Sequence, residues 1–287
     1  MDLALVVARF LHFATTLTLF GASFFAAALA PASLAPDLKP LMRRLAPSLA
    51  LLALASALAW LFFVARDMAG DDFDLPTFWE VVTDTSFGRV WQARLALLVL
   101  LAIAALWPDR RWRTPAVVGA LCVASLGLVG HAAMQEGALG VAHRLNHATH
   151  LLAVSAWLGG LPLFLVSLRC FLGVRARRDA LAAMMRYSRA GHFAVAIVFV
   201  SGALDVAMTS GTLPWPPVTP YRLGLTVKIA VYFTMVALAL VNRYVLAPRI
   251  SRDAAAARAL AAGAVAEIAL ALTAIALVSA FATFNPH

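Results

Sequence analysis

The 287-residue chain is 63% hydrophobic and only 13% charged, with a mean hydropathy of +0.86, a balance that excludes an ordinary soluble domain. Its net charge of +9 would suit a nucleic-acid partner if the basic residues formed one surface. They are instead parcelled out between apolar runs, which excludes that class and leaves an integral membrane protein in contact with lipid.

Eight apolar runs of about 20 residues, the length that crosses a bilayer, lie near 4–30, 45–66, 89–107, 114–134, 145–169, 187–209, 223–246 and 263–284. The first ends in Ala28-Leu29-Ala30, similar to a signal-peptidase site. Met1-Asp2 lacks the basic start of an export signal, so the run is expected to stay as a helix. Lys39, Arg43 and Arg44 follow it; Arg110, Arg111 and Arg113 come after the third run. Arg169, Arg175, Arg177, Arg178, Arg186 and Arg189 surround the junction of the fifth and sixth, and Arg243, Arg249, Arg252 and Arg258 that of the last two. These sixteen of the 23 basic residues occupy alternate connections, which the positive-inside rule assigns to the cytoplasm. The intervening segments are acidic (Asp67, Asp71, Asp72, Asp74, Glu80, Asp84) or neutral (214–220), so both termini are expected on the outer side. Cys122 and Cys170 lie in different helices and form no CxxC pattern, which argues against a disulfide framework and against covalent haem.

The two halves of the chain align. "TSFGRVWQARLA" (85–96) lies against "TPYRLGLTVKIA" (219–230), pairing Arg94 with Lys228. "LHFATTLTLFG" (11–21) lies against "THLLAVSAWLG" (149–159), pairing His12 with His150 and Gly21 with Gly159. Four spans per half keep both halves in one orientation, about a pseudo-twofold axis along the membrane normal. The expectation is an all-α membrane protein of eight transmembrane helices in two parallel four-helix repeats, 1–135 and 136–287. His12 and His150 then share one depth and become expected partners.

His143, His147 and His150 fall on one stripe of the fifth helix, within an arc of about 60° and a climb of about 10 Å. Imidazoles at this spacing can meet one metal ion, though imidazole alone does not choose among copper, zinc, nickel and iron. His131 and Met134 lie on nearly one face at the outer end of the fourth helix, and a thioether beside an imidazole favours copper. His192, on the basic side, cannot join this set. Arg94, Asp205 and Lys228 are charges within the membrane, where each costs about 2.5–3.5 kcal/mol; Asp205 is close enough in depth to pair with Lys228. The three read as an ion pair or as charge compensation for a moving cation. Glu267 reads as structural. Met184, Met185, Met208 and Met235 show no clustered spacing and read as packing. Gly159, Gly160 and Pro162 predict close helix approach and a kink.

"HATHLLAVSAWLGGLPLF", "SRAGHFAVAIVFVSGALDVAMTSG" and "TPYRLGLTVKIAVYFTMVALALVNRYVLAP" together resemble the CopD family of bacterial inner-membrane copper proteins. The resemblance is strongest over 143–248; the glycine that commonly follows the aromatic of "TPY" is Arg222 here. It implies copper as the ion, a periplasmic CopC-like copper-binding partner, and uptake from periplasm to cytoplasm. The chain is then expected to be a transporter rather than an enzyme, capturing copper through His12, His131, Met134, His143, His147 and His150. Capture should weaken as pH falls through the histidine range. The competing expectation is a b-type cytochrome whose haem is ligated axially by His12 and His150.

Overall fold

The computed structural model describes residues 2–130, 135–173, 176–211, 215–282 and 284, and among them every regular element is helical. The chain is an all-α membrane protein. Asp2 caps α1 (Leu3–Phe24) by accepting from Ala4 N, and a π-helical turn carries the helix on to Leu29. Helix α2 (Ala35–Ala69) returns antiparallel, and the Asp2–Arg66 ion pair ties its end to the start of α1. A short amphipathic helix α3 (Leu75–Asp84), capped by Asp74, leads into α4 (Ser86–Leu106), capped by Thr85. Asp109 then accepts from the backbone N–H groups of Arg111, Arg113 and Thr114, which sets the turn into α5 (Arg113–Ala124). Partial burial works against its ionised form, but these donors outweigh it and hold the carboxyl below the usual carboxylate range.

Helices α6 (Gly137–Leu158) and α7 (Leu161–Leu172) form one span broken at Gly159–Gly160, with Pro162 in the first turn of α7, where proline is tolerated. Helix α8 (Arg177–Ser210) returns alongside. Helix α9 (Pro220–Val241), capped by Thr219, continues through a π-helical turn to Leu246, and α10 (Ala254–Phe281) closes the chain.

Seven spans are long and apolar enough to cross a membrane. The run at 114–134 differs from expectation. It forms only α5 and a 3-10 turn to Leu128, because Gly127 packs against α6 and Gly130 takes a left-handed φ of 77°. Several spans also start earlier than the apolar runs, since Lys39, Arg43, Arg44, Arg186, Arg189 and Arg258 are helical. Charge placed at a helix end on the water side does not stop a helix.

The main core is shared by α1, α2, α4, α5, α7 and the start of α8. A smaller core around Trp157 and Met235 joins α6, α8, α9 and α10. Phe193, Phe199, Val200, Leu223 and Phe233 point outward, as lipid-facing side chains do.

The crossing of α1 with α6 is backbone on backbone. A Cβ on Gly21 would fall 2.0 Å from the Ser155 carbonyl, and one on Gly159 would fall 2.6 Å from the Leu17 carbonyl. The two contacts are reciprocal, each glycine facing the carbonyl four residues before the other. Gly21→Ala is expected to lower stability by about 3 kcal/mol through overpacking, read as the midpoint of thermal unfolding in detergent. Gly191→Ala, with nothing within 4 Å of its added Cβ, should be neutral or slightly stabilising.

Candidate metal centre

The start of α6, the end of α8 and the start of α9 meet at the end of the bundle away from the basic connections. Here α6 carries His143, Asn146, His147 and His150, while α8 brings Ser201 and Asp205 beside them. Asn146 Nδ2 donates to the Ser201 carbonyl at 2.8 Å and to Asp205 Oδ1 at 2.6 Å, fixing the register of the two helices.

The hydrogen bonds fix the proton on each ring. Gln135 donates its amide N–H to the Met208 carbonyl, so its Oε1 is left to accept from His143 Nδ1, 3.0 Å away. Asp205 Oδ2 can only accept, so His147 Nδ1 donates to it at 2.9 Å. The Ser201 hydroxyl spends its hydrogen on the Ile197 carbonyl, so its oxygen accepts from His150 Nδ1 at 3.0 Å. In the neutral form each of the three rings therefore keeps its lone pair on Nε2. Those of His147 and His150 meet no hydrogen-bond partner among the described residues, and that of His143 faces Asp205 Oδ1 at 3.7 Å.

Rings anchored through one nitrogen, with the other free, are what metal-binding histidines present. His147 and His150 stack nearly parallel, with centroids 6.3 Å apart. His143 and His150 are buried and His147 is half-buried. Among the described residues no three His, Cys, Asp or Glu side chains are already drawn around one point, so the arrangement is an open one that an ion would have to gather. Lys228 lies within electrostatic range of both His150 and Asp205. The expected Asp205–Lys228 contact is replaced by the bonds of Asp205 to His147 and Asn146.

His12 is not part of this cluster. It is fully buried between α1, α2 and α4, and it shares no hydrogen bond or ring contact with His150 among the described residues. Arg94 can only donate, and it reaches His12 Nε2 at 2.7 Å; His12 Nδ1 must then carry the hydrogen that goes to the Ala53 carbonyl at 3.0 Å. Both ring nitrogens are spent, leaving no lone pair for a metal or for haem iron. Arg94 also donates to Ser125 Oγ and the Cys122 carbonyl, and lies over the Trp91 ring. Arg94 is thus held by His12, Ser125, the Cys122 carbonyl and the Trp91 ring. His131 and Met134 lie outside the described residues.

Sequence reasoning missed Asp205 as the partner of His147, and Asn146 and Ser201 as supports. A signal for them was present. Positions on α1, α2 and α4 that match the cluster hold Arg9 over Trp60, and His12 beside Ala53, Ser56 and Arg94. The matching positions on α6, α8 and α9 hold His147 beside Asp205, and His150 beside Val198, Ser201 and Lys228.

The chain matches two family models, described as copper resistance protein D-like, N-terminal domain, over residues 1–141, and copper resistance protein D, over 181–281. It is 35% identical over 255 residues to inner membrane protein YebZ of Escherichia coli (strain K12), covering 86% of each chain. The chain belongs to the copper resistance protein D family. Copper resistance protein D of Pseudomonas syringae pv. tomato is a further relative, 28% identical over 264 residues, covering 85% of this chain and 84% of that one. No solved structure matches the chain. As a family member with seven membrane-length apolar helices, it is a multi-pass protein of the inner membrane.

Proposed function

We propose that this chain is a copper transport and homeostasis protein that captures copper at its periplasmic end and passes it toward the cytoplasm. The observation that carries this reading is the set of three histidines on α6, each held through Nδ1, with Nε2 of His147 and His150 left to bind. Copper is the ion named for the family and its Pseudomonas relative. It also suits imidazoles followed by a thioether if His131 and Met134 complete the site. Asp205 makes His147 a stronger ligand and offsets the charge of the incoming ion. Lys228 opposes that charge, so the site can bind without trapping.

In this reading α5 completes an eighth crossing, both termini are periplasmic, and the halves 1–135 and 136–287 are parallel repeats. The reciprocal Gly21–Gly159 contact and the Thr85 and Thr219 caps at matched positions support the repeat. The alternation of basic and acidic connections supports the orientation. The first repeat keeps the geometry but fills it with Arg9, Trp60 and Arg94. Only the second repeat is then a copper site, and His12 is withdrawn from the ligand set. A periplasmic copper-binding protein of the CopC type would deliver the ion. The protein is a carrier and not an enzyme. The double bonding of His12 weighs against a haem shared with His150.

The test is copper accumulation by cells expressing the protein. Wild type should raise cell copper above the vector control, and His147→Ala/His150→Ala should abolish the increase at equal protein level. Equal accumulation by the double variant and wild type would remove these residues from the pathway.

A further inference from the structure

Three helix faces run on from the histidine cluster into the bundle. On α6, Trp157 lies two turns, about 10 Å, beyond His150 on the same face. On α9 and the π-helical turn that continues it, the residues seven apart are Lys228, Met235 and Asn242. On α8 the face passes from Asp205 and Ser201 through Val198 and Ala194 to Tyr187 and Met184. Trp157, Met235, Val198 and Ala194 pack together as a small apolar core, with Ala153 and Ala271. Past that plug, toward the basic end, is a cavity of about 500 Å3 whose lining includes Trp157, Met184, Tyr187, His192, Asn242 and Glu267.

The cavity wall carries one carboxylate, Glu267, and one guanidinium, Arg243, and among the described residues the two form no ion pair. Glu267 is buried, accepts from Asn242 Nδ2 at 2.7 Å, and has no basic group within 4.0 Å among the described residues. Because Asn242 spends its N–H on Glu267, its Oδ1 is turned the other way, and that buried oxygen has no hydrogen-bond partner. Gly263 makes room for it, since a Cβ there would fall 2.3 Å from Oδ1. An intramembrane carboxylate without a counter-ion is costly unless a proton or another cation neutralises it. Met184 adds a thioether to the same wall, the donor type copper(I) favours.

We infer that this cavity is an inner vestibule for the transported copper ion, with Glu267, oriented by Asn242, as its cation-holding group and Trp157 with Met235 as the plug separating it from the outer histidines. The inference rests on the copper-transport reading above. In it, the ion leaves His150, passes the Met235 thioether as the plug loosens, and pauses at Glu267 before release.

The test uses the full chain in liposomes that enclose a copper(I)-chelating dye, with copper(I) added outside. Glu267→Gln and Asn242→Leu should each slow uptake at least tenfold while copper bound at the outer cluster, measured in detergent, stays at the wild-type amount. If wild type fills the liposomes and both variants match its rate, the vestibule is wrong and the transport reading stands. If the variants lose outer binding as well, the residues act through the fold and the inference fails. If wild type moves no copper, the transport reading falls and the vestibule falls with it.

Discussion

Replacing Asp205 by alanine is expected to weaken copper binding about 10- to 100-fold, the usual cost of removing a carboxylate that orients a metal-binding histidine. Three effects add. His147 loses the acceptor that holds its proton on Nδ1 and its Nε2 toward the site. Asn146 loses one of the two acceptors that clamp α6 to α8. Lys228 loses the nearby carboxylate that offsets its charge, so the ammonium repels an incoming cation at full strength. A competition titration against a chelator of known affinity measures the change. Asn146→Ala, which keeps the carboxylate, should cost less than Asp205→Ala. A dissociation constant for Asp205→Ala within twofold of wild type would show that the carboxylate neither orients nor compensates.

His12→Leu should behave in the opposite way, with a large loss of stability and no loss of copper. The imidazole is the acceptor for one nitrogen of a guanidinium that is 1% exposed and whose Nε already lacks a partner. Leaving a second buried, charged donor unmet costs about 3 kcal/mol, read as a lowered unfolding midpoint in detergent. The Arg94→Leu/His12→Leu double variant should be more stable than His12→Leu alone, since it removes the stranded charge together with its partner. Copper per folded chain should stay at the wild-type amount in both. A His12→Leu protein with normal stability and no copper would return His12 to the ligand set.

Much of the fold is legible in the sequence because the bilayer imposes it. Apolar length marks out the seven membrane-length spans. The histidine stripe follows from spacings of four and three, and the close approach at Gly21 and Gly159 from small residues. What escaped has physical reasons. Helix starts are hidden where Lys39, Arg43 and Arg44 continue α2 into water, because a hydropathy run ends where the helix does not. The fourth run is apolar throughout, yet Gly127 and Gly130 shorten its helix.

The pairing of His12 with His150 was a correspondence in sequence, and under the repeat proposed above such positions sit in separate halves. Gly21 and Gly159, another matched pair, do meet. The asymmetry between the halves was readable in the matched pair of Arg94 and Lys228, where a guanidinium can plug an imidazole lone pair that a more distant ammonium leaves open. Asp205 was harder to place, since its partner His147 is 58 residues away in sequence and only the helix packing brings them together.

The central claim is that one copper site exists and that α6 and α8 of the second half build it. The most direct measurement is copper bound per purified chain for wild type, His147→Ala/His150→Ala and His12→Leu, each confirmed as folded. Equal copper is expected in wild type and His12→Leu, and none above background in the double variant. Copper retained by the double variant, or lost on replacing His12 alone, would contradict it.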